Sequence, residues 1–361
     1  MTTDDTSSRS YLLPTILIIL ILLSIPVLLN LRLQTSKHHW TYNWQQTTSF
    51  QQARRALAAT SFKNYIYVIG GINDHDEYAA SVEYGVINPD GALTSWKGTS
   101  SLVEARFYHA AVSVKGYVYT LGGAKGARGS DNIPIASVER AQILADGSLG
   151  PWRPENYLTT PRRGTKAVIY GDHIYAIGGY NGRFLRSIER AEVYEDGSLS
   201  EWVLEDEQAN IDRYIHSATI FNNNIYLLGG HVHNDDKVSY GDVEMSHILP
   251  NGVLSPWTIE KTMLQYPRFI ASAFAMNNYL YILGGHDGAN RLNSVEFAAL
   301  TTEGHVGAWT ATSDIPSGRD GAAVVTHGNN VYVLGGIDNN QVLNTVDMAQ
   351  QAANGHLGFA R

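Results

Sequence analysis

The stretch from Arg106 to Gly123 is RFYHAAVSVKGYVYTLGG, and its landmarks return at five other places in the 361-residue chain. These landmarks are an arginine, a tyrosine 13 residues later and, three residues after the tyrosine, the first of two glycines. The apolar residues before the glycine pair predict a buried strand, and the glycines suit a strand end where the backbone turns or packs closely. The six first glycines are Gly70, Gly122, Gly178, Gly229, Gly284 and Gly335.

Each of the six segments also carries an arginine and an acid in fixed positions. The arginine lies 16 residues before the first glycine, and the acid ends a Ser/Thr/Asp–Val/Ile–acid triplet after a loop of variable length. The arginines are Arg54, Arg106, Arg162, Arg213, Arg268 and Arg319, and the acids are Glu83, Glu139, Glu189, Glu244, Glu296 and Asp347.

A tryptophan completes each of the first five segments. It lies five residues after a turn glycine, which itself follows the acid by eight residues. The corresponding position of the last segment is Ala360, whereas Trp44 precedes Gly70 by 26 residues, the spacing of a sixth tryptophan. We therefore expect a strand at Trp44 to complete the last segment, so that the array closes into a ring without an unpaired edge.

A repeat of about 50 residues with a glycine pair resembles the kelch repeat. The resemblance covers residues 44–361 and implies an all-β fold, a six-bladed kelch-type β-propeller with four-stranded blades around a central channel. Strand a would follow the arginine, strand b would end at the glycine pair, strand c would carry the acid, and strand d would begin at the tryptophan. The last blade would be closed by the N-terminal strand at Trp44.

Residues present in all six blades are expected to form the scaffold, because an active site needs asymmetry. The repeated tyrosines and tryptophans would pack between neighbouring blades. The six arginines and six acids have two interpretations. They form a structural ring of partly buried ion pairs that fixes the blade spacing, or a funnel in which the arginines attract an anion, and both would hold if some arginines reached the channel.

The N-terminal segment suggests a membrane anchor. Residues 1–10 form a tail, residues 11–31 are an uncharged apolar run, and residues 32–43 are a linker. A run of this length spans about 30 Å as a helix, the thickness of a bilayer core, so we expect one transmembrane helix rather than a cleaved signal peptide. The flanking Lys and Arg residues favour a cytoplasmic propeller by a difference of one charge. We nevertheless expect an extracytoplasmic propeller, and the side of the membrane on which it lies stays open.

The loops that differ between blades are candidates for binding. Loops d–a and b–c would share one face of the disc, and variation on one face marks a binding surface. Tyr180 and other polar residues lie in the b–c loops. The candidate mouth residues are Arg55, Phe107, Tyr108, His109, Arg163, Lys166, Tyr214, His216, Phe269, Asp320, His231, His233 and His286.

Composition restricts the chemistry. The net charge of −8 argues against nucleic acid as a partner. The absence of cysteine excludes disulfides, thiolate zinc sites and cysteine nucleophiles. His231 and His233 with Asp235 match no firm metal template, so we expect neither a metal nor a cofactor.

Two functions remain. The first is a membrane-anchored binding module that presents its channel mouth to a protein or a glycan. The second is a sugar-processing enzyme that resembles bacterial N-acetylneuraminate epimerases, an isomerase whose anionic substrate would suit a cationic mouth. We expect the binding module, and no residue is assigned a catalytic role. Galactose oxidase-like chemistry is excluded by the absence of the cysteine that its copper site needs.

Overall fold

A computed structural model describes residues 40–41, 43–126, 132–234 and 237–360. The described residues are strands, turns and loops, and they contain no helix long and apolar enough to cross a membrane. Residues 11–31, the predicted anchor, and most of the linker lie outside the described part. The described part of the chain begins with β1 (Trp40–Thr41), β2 (Gln45–Thr47) and β3 (Arg54–Arg55).

Six antiparallel sheets follow one another along the chain, and each is one blade. Blades 1, 2 and 4 each carry, beside the main sheet, a pair of short strands: β3 with β6, β11 with β12, and β21 with β22. Blades 1 to 3 comprise β4 (Ala58–Phe62), β5 (Tyr65–Ile69), β6 (Ile72–Asn73), β7 (Val82–Val86), β8 (Lys97–Thr99), β9 (Ala110–Val114), β10 (Tyr117–Leu121), β11 (Ala124–Lys125), β12 (Ile133–Pro134), β13 (Val138–Gln142), β14 (Arg153–Glu155), β15 (Lys166–Tyr170), β16 (His173–Ile177), β17 (Ile188–Glu192) and β18 (Val203–Leu204).

Blades 4 to 6 repeat this order. They comprise β19 (Ser217–Phe221), β20 (Asn224–Leu228), β21 (His231–Asn234), β22 (Lys237–Ser239), β23 (Val243–His247), β24 (Thr258–Ile259), β25 (Ser272–Met276), β26 (Tyr279–Leu283), β27 (Val295–Ala299), β28 (Thr310–Ala311), β29 (Ala323–His327), β30 (Asn330–Leu334), β31 (Val346–Gln351) and β32 (Leu357–Ala360). The predicted all-β six-bladed propeller is therefore confirmed.

The sixth blade is completed from both ends of the chain. Strand β2 pairs antiparallel with β31, with Gln45 opposite Met348 and Thr47 opposite Val346. The indole N–H of Trp44 donates to the carbonyl oxygen of Ser313 in blade 5, 3.0 Å away. These contacts show the closure predicted from the tryptophan spacing. The structure adds that β32 pairs with the far end of β31, so the outer strand of this blade has two parts.

The hydrophobic core lies between the blades. Six buried clusters each combine side chains from two adjacent blades, and each contains one repeated tyrosine and the repeated tryptophan of the next blade. Every one of the six tyrosine hydroxyls also donates to the carbonyl oxygen of a turn glycine in the next blade, at 2.6–2.8 Å. The aromatic residues that the repeat placed between blades thus join them through both apolar and polar contacts.

Candidate functional site

The d–a and b–c loops meet on one face of the propeller. In every blade the residue after the repeated arginine pairs with the residue after the glycine pair, through β3–β6 in blade 1 and single β-bridges elsewhere. The six pairs are Arg55 with Ile72, Phe107 with Ala124, Arg163 with Tyr180, Tyr214 with His231, Phe269 with His286, and Asp320 with Ile337. This pairing brings twelve positions from six blades around one mouth.

Six residues with an unusual backbone conformation, one from each blade, form a ring that narrows the channel directly beneath this mouth. The second residue after each arginine has a positive φ: Ala56, Tyr108, Gly164, Ile215, Ile270 and Gly321. A β-branched residue such as Ile215 or Ile270 adopts this conformation rarely, because its side chain crowds the backbone. Neighbouring members are joined by backbone hydrogen bonds, for example from the N–H of Tyr108 to the carbonyl oxygen of Ala56 at 2.9 Å. The cavity at this ring measures only about 30 Å³.

Half of the mouth is an arc of aromatic side chains. We define the rim arc as Arg163, Tyr180, Phe184, Tyr214, His231, Phe269 and His286, all of them partly exposed. Successive rings from Tyr180 to His286 lie 5.2–6.3 Å apart between centroids, which is contact distance for aromatic pairs. The arc crosses blades 3, 4 and 5.

Arg163 adds a cation to this aromatic surface. Its guanidinium carbon lies 5.0 Å from the ring centroid of Tyr180 and 5.3 Å from that of Tyr214. Cation–π contacts of this length attract the guanidinium group to both rings. The charge is therefore fixed at one end of the rim arc.

The other half of the mouth is ion-paired. Arg291 and Asp320 lie 2.9 Å apart, and Arg55 and Asp76 lie 3.4 Å apart. Burial raises the pKa of the Asp320 carboxyl, although Arg291 and His286 oppose the shift. These charges neutralise one another across blades 5, 6 and 1.

Several predicted mouth residues lie below the rim. Phe107 is buried in a small cluster with Ile72 and Ala124. His109 and His216 are 5% and 1% exposed, because their rings pack beside the glycine pairs of the preceding blades. Lys166 lies inside the axial channel. Of the predicted set, Arg55, Tyr108, Arg163, Tyr214, Phe269, Asp320, His231 and His286 are at the mouth, and the side chain of His233 lies outside the described residues.

The six repeated arginines do not form an open funnel. Each is at most 3% exposed and contacts the acid of its own blade at 2.6–2.9 Å. Each also donates from Nη1 to the carbonyl oxygen of the first glycine of its blade, at 2.7–3.3 Å. In five blades the acid accepts a backbone N–H three residues before the arginine. These contacts hold each blade together, and none of the six arginines lines the three channel cavities described for this propeller.

Neighbouring blades are linked instead through the arginine backbone. The N–H of Gly123 donates to the carbonyl oxygen of Arg162 in the next blade at 2.7 Å, and that of Gly336 donates to Arg54 at 3.0 Å, which closes the ring. A Cβ added to Gly122 would lie 2.7 Å from the same Arg162 oxygen. The glycine pair is therefore required because two blades touch there.

The sequence did not identify three further mouth residues. Phe184 joins the rim arc, Tyr78 packs on Phe107 with ring centroids 4.4 Å apart, and Arg291 pairs with Asp320. All three belong to b–c loops of irregular length, where the repeat gives no register. Within the described residues, no group of three or more His, Asp or Glu side chains is arranged to hold a metal ion.

Comparisons with known proteins agree with this architecture. The KLHDC2/KLHL20/DRC7 Kelch-repeats domain model matches residues 215–354, and the Kelch motif model matches residues 161–190. Beta-scruin of Limulus polyphemus is 25% identical over 263 residues, which is 71% of this chain and 27% of that protein. Kelch-like protein 35 of Mus musculus is 30% identical over 114 residues, 32% of this chain and 17% of the relative. The chain thus spans about a quarter of the length of beta-scruin and less of Kelch-like protein 35.

A solved structure shows the same fold. The structure of YjhT superposes with a TM-score of 0.69 at 12% identity, covering 86% of this chain and 98% of the other. Identity at this level supports the fold alone. These matches show kelch-repeat sequence in residues 161–190 and 215–354 of a chain that folds as a six-bladed β-propeller.

Proposed function

We propose that this chain is a protein-binding propeller whose rim arc receives a segment of a partner protein. The observation that carries the proposal is the continuous, partly exposed arc of aromatic rings across three blades, ended by the stacked guanidinium of Arg163. Tyrosine, aromatic and arginine side chains supply much of the binding energy at protein interfaces.

The geometry of the channel supports a surface partner over an enclosed small molecule. The constriction below the mouth has room for about one water molecule. A ligand at this face therefore lies across the rim and contacts several blades. Kelch propellers are typical protein-binding modules, and an extended peptide or loop suits such an arc.

A carbohydrate is the alternative occupant, because sugar rings also stack on aromatic faces. In the sugar-isomerase alternative, Asp76 and Asp320 would not be free to act as the acid or base, because each pairs with an arginine. We keep carbohydrate binding as a second arm of the experiment.

The experiment places a photo-crosslinking amino acid at Phe184 in the full chain and, as a control, at Tyr194, an exposed residue of the opposite face. The partner captured specifically from Phe184 is then purified, and its Kd is measured for the wild type, Tyr214→Ala and Tyr194→Ala. Loss of a hot-spot ring costs about 2 kcal/mol, so we expect a roughly 30-fold weaker Kd for Tyr214→Ala. Tyr194→Ala should retain the wild-type Kd.

Folding of the rim variant is checked by its melting temperature. The position of Tyr214 holds Phe, Arg or Asp in the other blades, so it tolerates replacement. Equal crosslinking from both faces, or an unchanged Kd for Tyr214→Ala, would refute the rim site. Specific signals on a glycan array that Tyr214→Ala abolishes, without a protein partner, would establish the carbohydrate alternative instead.

We further propose that residues 11–31 anchor the propeller in a membrane as a single-pass segment. The support is the uncharged apolar run itself, which is long enough to cross a bilayer core. The propeller would then present its rim on one side of the membrane, and a labelling experiment given below assigns the side.

A further inference from the structure

The channel interior is lined by strand a of every blade, and one lining position holds a lysine in a single blade. The fourth residue after each repeated arginine is Ala58, Ala110, Lys166, Ser217, Ser272 or Ala323. All six line a chamber of about 140 Å³ on the propeller axis, below the constricted ring. Five blades thus contribute a small side chain to the chamber wall, and blade 3 contributes a lysine.

Lys166 differs from the other cations inside the propeller. Each of the six buried arginines has a carboxylate at 2.6–2.9 Å. Among the described residues that line the chamber there is no Asp or Glu, and Lys166 forms no ion pair. Burial between the channel walls lowers the pKa of its ammonium group to about 8, which leaves it protonated at neutral pH. Lys166 is partly exposed to the cavity, and a partly desolvated charge without a counterion favours the entry of an anion.

Two imidazoles accompany this charge. His109 and His216 occupy the third position after the arginine, where the other blades have Leu57, Thr165, Ala271 and Ala322. Both rings are more than nine-tenths buried, and neither ring nitrogen has a hydrogen-bond partner. His109 lines the chamber, and the charge of Lys166 is near enough to contribute to the lowered pKa of both imidazoles. Unpaired buried polar atoms beside a cavity indicate a missing hydrogen-bond partner.

The chamber opens toward the face opposite the rim arc. Beyond Ala167 and Ala218 it continues into a wider cavity of about 300 Å³, lined in part by Thr60, Ser61, Ser113 and Thr219. At the rim end, the cavity inside the constricted ring has a volume of only about 30 Å³. A ligand therefore reaches Lys166 from the face of the a–b turns.

We propose that the axial chamber is a binding site for a small monocarboxylate, held by the ammonium group of Lys166 beside the imidazole ring of His109. One cation balances one negative charge, which favours a monoanion over phosphate or a dicarboxylate. The alanine walls suit a short hydrocarbon part. A cavity of about this volume can hold a molecule the size of benzene. This site is independent of the rim arc and of the proposed protein partner.

The test follows the reactivity of the lysine. The full chain is treated with an uncharged acetylating reagent in sodium acetate or in sodium chloride at matched concentration, and acetylation of each lysine is followed by mass spectrometry. Bound acetate blocks the amine, so we expect Lys166 to react about fivefold more slowly when acetate is at about four times its Kd. The exposed Lys63 and Lys97 serve as internal controls and should react equally in both salts.

A second measurement uses Lys166→Ala, which gives blade 3 the residue of blades 1, 2 and 6 and is therefore expected to fold. Acetate should raise the melting temperature of the wild type above its value in chloride and should not do so for the variant. Equal reactivity of Lys166 in acetate and in chloride, or the same acetate-induced stabilisation in Lys166→Ala, would reject the carboxylate site.

Discussion

The hydroxyl of Tyr332 in blade 6 donates a hydrogen bond to the carbonyl oxygen of Gly91 in blade 1, 2.7 Å away and 241 residues earlier in the chain. The same bond joins Tyr67 to Gly147 and each later pair of blades. The contact that closes the ring is therefore chemically identical to the five contacts within it, which makes the propeller continuous across its two chain ends.

We expect Tyr332→Phe to lower the free energy of unfolding by about 1–3 kcal/mol, because the buried Gly91 carbonyl loses its partner. Urea unfolding measured by tryptophan fluorescence checks this. Tyr194→Phe, at an exposed turn, is the control and should leave the midpoint unchanged. An unaltered midpoint for Tyr332→Phe would show that the closure does not depend on this bond.

Breaking one buried ion pair should be costly. Arg162 lies 2.7 Å from Glu189, and both side chains are inaccessible to solvent. Arg162→Met would leave the Glu189 carboxylate buried without its cation, so we expect a loss of about 3–5 kcal/mol in unfolding free energy. Arg186→Met removes a solvent-exposed partner of Asp212 and should cost less than about 1 kcal/mol. Equal losses for the two variants would contradict the scaffold role of Arg162.

The close contact between blades at the glycine pair can be tested with two alanine substitutions, one in the pair and one at a turn glycine with a similar backbone conformation. Gly122 and Gly171 have φ values of 61° and 56°, so alanine is strained by the backbone at both. A Cβ at Gly171 meets no atom within 4 Å, whereas one at Gly122 lies 2.7 Å from the Arg162 carbonyl oxygen. We expect Gly171→Ala to cost about 1–2 kcal/mol and Gly122→Ala to cost clearly more. Similar unfolding midpoints would mean that the blades separate easily at this contact.

The buried histidines should make the propeller sensitive to acid. Burial, followed by the nearby charges of Arg106 and Lys166, holds the pKa of His109 well below 6.5, and burial with Arg213 and Lys166 does the same for His216. Below about pH 6.5 the unfolded chain binds protons that the folded chain does not, so stability is present above this pH and falls as the pH drops toward the folded pKa. Each histidine contributes up to about 1.4 kcal/mol per pH unit in that window.

The double variant His109→Leu with His216→Ala checks the assignment, because Leu57 and Ala271 occupy these positions in other blades. Urea midpoints from about pH 7.5 to about pH 5.5 should fall less steeply in the variant than in the wild type. Parallel pH profiles would assign the acid sensitivity to other groups.

The absence of native cysteine allows a direct test of the proposed anchor. Ser8→Cys, in the predicted N-terminal tail, and Ala353→Cys, an exposed turn residue, each give the full chain a single thiol. If residues 11–31 cross the membrane, a membrane-impermeant maleimide added to intact cells should label one variant and not the other. Labelling of both variants, or release of the protein by alkaline carbonate, would reject the single-pass anchor.

The sequence predicted the scaffold because each repeated residue makes the same contact in every blade. Tyr119 and Trp152 could be assigned to blade interfaces without any coordinates, and the spacing of Trp44 predicted the closing strand. The b–c loops could not be predicted in this way, since their lengths differ. Phe184 was missed for this reason, although it completes the rim arc.

By itself, then, the sequence determined the number of blades, their strand order and the way the ring closes. Only the tertiary structure decided which residues reach the mouth. After the arginine of each blade, the first residue lies at the rim except in blade 2, where Phe107 is buried below it; the second forms the constriction, the third packs between blades and the fourth faces the channel. The physical reason is the left-handed backbone of the second residue, which turns the chain from the loop into strand a and separates Tyr214 at the rim from His216 in the core.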